Sequence, residues 1–142
     1  MADPRLTVGF DGIAAEYATF KIDNSTIVYS ATQNGGSAAV GKAVTMSADD
    51  TVALANDGEA VIGKLIKVES DNIATVQIKG AVTLPGGTSA SLTRGKKIVG
   101  AVDGSGNKGY IREVATATAA ELGVCRGFIV DAGTSTAVWV IL

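Results

Sequence analysis

The side chains able to do chemistry are few, and their spacing works against it. Asp49-Asp50 is the one adjacent carboxylate pair, yet neighbouring residues of an extended chain point to opposite sides. An aspartate in a turn also spends its carboxylate on nearby backbone N–H groups, so turn formation is the expected role. Asp103 and Asn107 share a loop with Lys108, whereas a calcium loop alternates its oxygen ligands and closes on a glutamate. Gly104-Ser105-Gly106-Asn107-Lys108-Gly109 has the texture of a phosphate cradle, but it lies between two predicted strands, not ahead of a helix whose N-terminus would hold an anion. Cys125 is the single cysteine and there is no histidine. That count removes histidine general bases, Ser-His-Asp and Cys-His pairs, zinc sites and disulfides. Cys125 is expected to be a small buried apolar residue of a strand. The reading is of a non-enzyme with no cofactor and no metal.

What must position anything useful is a thin-cored sheet protein. Of 142 residues, 46% are apolar, only 5% aromatic, and 18 are glycine; Val, Ile, Ala and Thr suit a pleated, half-buried surface. The length is that of one domain. Net charge is −2, so no basic field exists to hold a polyanion by counterion release, and nucleic acid is not an expected partner. No apolar run approaches the roughly 20 residues that span a bilayer, so no membrane partner is expected. The opening MADPRLTVGFDG carries two acids and no apolar core of a secretion signal, which points to synthesis in a reducing compartment.

From Gly41 onward, turn clusters separate short β-rich stretches. Strands are predicted over 42–46, 51–55, 61–69, 73–84, 97–102, 110–114, 124–131 and 136–142, with turns at 47–50, 56–58, 70–72, 85–87, 103–108 and 132–134. Thr118 to Gly123 reads as one or two helical turns, Thr118 and Glu121 forming a capping box. The expected fold is all-β: a small β-barrel, a β-sandwich or a clip-like body of about eight short strands, turn lengths serving all three. Gly41-Lys42-Ala43-Val44 leading to Asp49-Asp50 echoes Gly95-Lys96-Lys97-Ile98 leading to Asp103-Gly104. Thr75-Val76-Gln77-Ile78 likewise echoes Ala137-Val138-Trp139-Val140. The body, 41–142, therefore reads as two pseudo-repeats of four strands, 41–80 and 95–142. Residues 1–40 hold Phe10, Tyr17, Phe20 and Tyr29 and read as an extended N-terminal arm with a first strand at Ile27-Val28-Tyr29. Ile13 to Ile22 is open between helix and strand, and the arm either covers its own body or reaches a neighbour.

Two surface features stand out. Arg94, Lys96, Lys97, Lys108 and Arg112 cluster against only Asp103 and Glu113; they either guard strand edges from mispairing or dock on an acidic protein surface. The terminal run Ala137 to Leu142 is apolar on both faces, which places Trp139 and Ile141 at a subunit interface or over the core.

The order GKAVTMSADDTVALANDGEAVIGKLIKVE, ATVQIKGAVTLPGG, LTRGKKIVGAVDGSGNKGYI and LGVCRGFIVDAGTSTAVWVIL resembles the small capsid decoration, or cement, proteins of tailed bacteriophages. The similarity rests on Gly41 to Val44, Val61 to Gly63, Thr75 to Gly80 and Leu122 to Leu142, roughly the last 100 residues by this reading. It implies a virion structural protein, made in the host cytoplasm, that binds the outer surface of the expanded head as a homotrimer against the major capsid protein. With it come expected capsid contacts at Phe10, Tyr17 and Phe20 of the arm and at Arg94, Lys96 and Lys97, and an oligomer interface at Trp139 and Ile141. The longer, aromatic N-terminal region departs from the shortest members of that family. Two other readings stay open: a carbohydrate- or host-surface-binding β module using Tyr17, Tyr29, Tyr110 or Trp139 as platforms, and a tail or head-completion component.

Overall fold

The computed structural model describes residues 14–87, 92–114, 119–134 and 137–142. Its first half is a closed barrel of β1 (Glu16–Ile22), β2 (Ala43–Ala48), β3 (Thr51–Leu54), β4 (Gly63–Val68) and β5 (Ile73–Lys79), in the order β1-β3-β2-β4-β5. Both hairpins turn on residues that tolerate a left-handed backbone, Asp50 between β2 and β3 and Asn72 between β4 and β5. Closure comes from β1, which runs antiparallel to β5 and parallel to β3. Inward positions alternate along each strand, burying Ile22, Val44, Val52, Leu65, Ala74 and Val76. Five strands enclose a space that only short side chains fill, which is why a sequence poor in aromatics suits it.

The second half repeats this plan more loosely. β6 (Ala81–Leu84), β9 (Phe128–Thr134) and β10 (Ala137–Ile141) form one sheet in the order β6-β10-β9, and β7 (Ile98–Ala101) pairs with β8 (Tyr110–Glu113). Two single bridges join them, Gly86↔Ile111 parallel and Ile98↔Arg126 antiparallel. Their neighbours thus follow the circuit β6, β8, β7, β9, β10, as β1, β3, β2, β4, β5 do in the barrel. Registers agree pair by pair: Phe20↔Ala74 matches Leu84↔Val138, Leu65↔Val76 matches Ile129↔Val140, and the parallel Ile22↔Val52 matches Gly86↔Ile111. So do hydrogen bonds. Gly41 N donates to Leu65 O at 2.8 Å and Gly95 N to Ile129 O at 2.7 Å; Leu65 N donates to Lys42 O at 3.0 Å and Ile129 N to Lys96 O at 2.9 Å.

The all-β class stands, and ten strands are found among the described residues where about eight were expected. The two extra strands are the ones that open each repeat. β1 lies in the region assigned to an arm, and the single strand expected over 73–84 breaks at Gly80, whose φ of 102° turns the chain from β5 into β6. Each repeat therefore has five strands. The sequence echo also aligned Val76 with Val138, whereas the registers align it with Val140; a slip of two preserves inside and outside, so the apolar pattern alone does not detect it.

Ile27-Val28-Tyr29 is not a strand. The Asp23 carboxylate accepts the N–H groups of Ser25, Thr26 and Ile27, folding the segment into a loop that buries Ile27 in the barrel core. Of the expected arm, Phe10 lies outside the described residues, while Tyr17 and Phe20 belong to barrel strand β1, not to a free extension. Ala132 to Thr134, expected as a turn, continue β9. The short helix α1 (Ala119–Val124) is present; Thr118 of its expected capping box lies outside the described residues. Cys125 follows that helix half-exposed, its Sγ 3.4 Å from Leu122 O, instead of lying buried in a strand.

Candidate interaction surfaces

The two halves are joined by contacts that consume several of the charges the sequence displays. Arg112 sends Nε to Asp57 at 2.8 Å and Nη2 to Glu121 at 2.5 Å, with most of its side chain out of water. Its hydrogen bonds to the Glu121 and then the Asp57 carboxylate push its pKa further above its ordinary range. Arg112 therefore leaves the expected basic cluster and acts as a tie between the halves. Arg126 is a second tie: Nη1 donates to Ile62 O at 2.7 Å and Nη2 to Ile78 O, both on the first barrel. Backbone pairs close the seam, Gly109 N to Ala55 O at 2.8 Å and Gly58 N to Gly100 O at 3.0 Å.

Arg94, Lys96 and Lys97 remain exposed on the turn entering β7, a compact basic projection in a chain of net negative charge. Glu113 sits close by, accepting the Thr93 N–H at 2.9 Å. Tyr17 and Phe20 are three residues apart on a strand and so face opposite ways. Tyr17 is 57% exposed, while Phe20 points inward and packs, half-buried, on the barrel core. Trp139 and Ile141 share the outer face of the β6-β10-β9 sheet, since Val138 and Val140 between and beside them are buried. Phe128, directly opposite Ile141 in register, extends this face and is 44% exposed beside Trp139 at 37%. Sequence reading missed Phe128 and Arg126. The alternation that places Ile129 inward also places Phe128 outward, so the first was legible; the span of Arg126 across to the first barrel was not.

Tyr110 is no open platform, because the Lys42 ammonium lies 5.3 Å from its ring centroid. Asp103 is a turn former, its carboxylate accepting Ser105 N at 2.9 Å and Asn107 N at 2.8 Å. An open groove of about 570 Å³ runs between the Tyr29–Gly36 loop and the β4–β5 turn, with Lys67, Glu69 and Asp71 on one wall. Among the described residues no group of three or more His, Cys, Asp or Glu side chains is placed to hold a metal, and no helix is long and apolar enough to cross a membrane. The arrangement is suited to surface contact: an apolar sheet face, a basic turn and a shallow polar groove. No family model, curated protein or solved structure matches this chain.

Proposed function

We propose that this protein is a virion structural component that binds the outer surface of an expanded tailed-phage head as a homotrimer and reinforces the shell. The observation that carries the reading is the outward face of exposed Phe128 and Trp139 with half-buried Ile141 on the β-body, together with the motif resemblance at Gly41 to Val44, Val61 to Gly63, Thr75 to Gly80 and Leu122 to Leu142. Large apolar side chains exposed side by side on a small domain mark a contact surface. The basic turn of Arg94, Lys96 and Lys97 supplies the charge that orients docking on an acidic capsid. Many weak contacts engaged together give a trimer avidity on a lattice. No catalysis and no cofactor enter this role.

Co-sedimentation with expanded and unexpanded heads, read as copies per major capsid subunit, tests it. Saturable binding to expanded heads at near-lattice stoichiometry is expected. A few copies per particle favours a head-completion or tail component, and no binding overturns the proposal. The groove beside Tyr29 favours a second reading, a carbohydrate-binding module; glycan binding lost in Tyr29→Ala would establish it in place of shell reinforcement.

A further inference from the structure

In the first repeat, the face equivalent to the apolar one is covered within the chain itself. On the first barrel, the outer side of β4 and β5 carries Lys64 and Gln77, paired in register. Both are covered by β6, the first strand of the next repeat: Lys64 Nζ donates to Thr83 Oγ1 at 3.0 Å, and Gln77 Nε2 lies 3.4 Å from Ala81 O. Gln77 is only 9% exposed as a result, and burial lowers the pKa of Lys64. In the second repeat the equivalent pair is Phe128↔Ile141, with Trp139 where the first has Thr75. This face is not covered as Lys64 and Gln77 are: Phe128 is 44% and Trp139 37% exposed.

The equivalents of Ala81 and Thr83 are Tyr17 and Thr19 on the outer side of β1. We infer that the β9–β10 face of one copy receives the β1 surface of a second copy, head to tail, repeating between chains the junction that joins the two halves within one. The chemistry turns apolar where the two sides differ. Where Lys64 meets the Thr83 hydroxyl and Gln77 the Ala81 carbonyl, Phe128 meets Thr19, and Ile141 meets the neighbouring Tyr17 ring, itself 57% exposed in the isolated chain. Such a contact is heterologous, so it closes into a ring or continues as a filament. The inference rests on the self-association in the reading above and leaves shell binding aside.

Trp139 is the only tryptophan, so its emission reports this face directly. A dilution series of the purified protein without capsids, followed by sedimentation and fluorescence, is expected to show association with a blue shift of Trp139. Tyr17→Lys and Phe128→Glu, both at exposed positions, are each expected to weaken association about 30-fold or more with an unchanged far-UV circular dichroism spectrum. Their equimolar mixture is expected to form a one-to-one pair, since it retains one unaltered junction. Association of Tyr17→Lys equal to wild type overturns the inference, as does a mixture that fails to pair. A wild type that stays monomeric with unshifted emission overturns it too, whatever the co-sedimentation experiment finds.

Discussion

Asp23 shows how one side chain replaces a strand with a loop. Burial raises its pKa, but hydrogen bonds from the Thr26, Ile27 and Ser25 backbone and the Thr26 hydroxyl outweigh this and hold it below the usual aspartate range. Thr26 Oγ1 in turn accepts the Leu54 N–H at 2.9 Å, tying the loop to β3. Because the folded pKa is depressed, the stabilisation is present above the unfolded value and is lost as pH falls through the folded one. Asp23→Ala is expected to lower stability by about 1–2 kcal/mol at pH 7, and the gap between wild type and Asp23→Asn to narrow as pH drops below about 4; urea midpoints across pH check both. Arg112 works across a longer distance. Arg112→Ala leaves Glu121 without this partner and is expected to cost about 2 kcal/mol, where an exposed pair such as Lys67–Glu69 is worth no more than about 1 kcal/mol. Denaturation of Arg112→Ala beside Lys67→Ala tests the contrast.

At the level of elements, the repeat explains a pair of glycines. Gly63 opens β4, and a Cβ there would stand 2.1 Å from Gln77 O; Gly127 precedes β9, and a Cβ there would stand 2.5 Å from Ile141 O. The same close approach of backbone to backbone recurs at the same place in both hairpins, so neither position accepts a side chain without moving a strand. Gly63→Ala and Gly127→Ala are each expected to cost about 2 kcal/mol or more. Gly106 is the control. Nothing lies within 4 Å of its Cβ position, but its φ is +82°, so Gly106→Ala carries only the left-handed strain of about 1 kcal/mol. Thermal midpoints of Gly63→Ala against Gly106→Ala separate close approach from conformation, and Gly127, at φ +60°, carries both.

For the whole molecule, duplication does not mean independence. The second core, around Leu84, Ile98, Ile111, Ile129, Val138 and Val140, also contains Ala43, Ala55 and Val61 from the first half. The second repeat thus completes its interior with side chains of the first, and the seam is further closed by Arg112 and Arg126. One cooperative unfolding transition is expected. Leu65→Ala and Ile129→Ala, equivalent positions in the two cores, are each expected to cost about 2–5 kcal/mol and to shift that same transition. Two separated transitions in either variant would show that the halves fold alone.

Composition and alternation by themselves determined the all-β class, most turn positions and the absence of histidine chemistry, because those depend on residue type and a period of two. They also exposed the repeat between β2 and β7 through Gly41-Lys42 and Gly95-Lys96, whose glycines share a positive φ. Tertiary structure decided what local pattern leaves open. Barrel closure needs β1 to pair with β5 and β3 far along the chain, and nothing within Glu16 to Ile22 distinguishes a closing strand from an arm. It also decided that Phe20 turns inward, that Arg112 is spent on Asp57 and Glu121, and that Phe128 joins Trp139 and Ile141. Each of these depends on which distant backbone lies alongside, and a two-residue period carries no information about that.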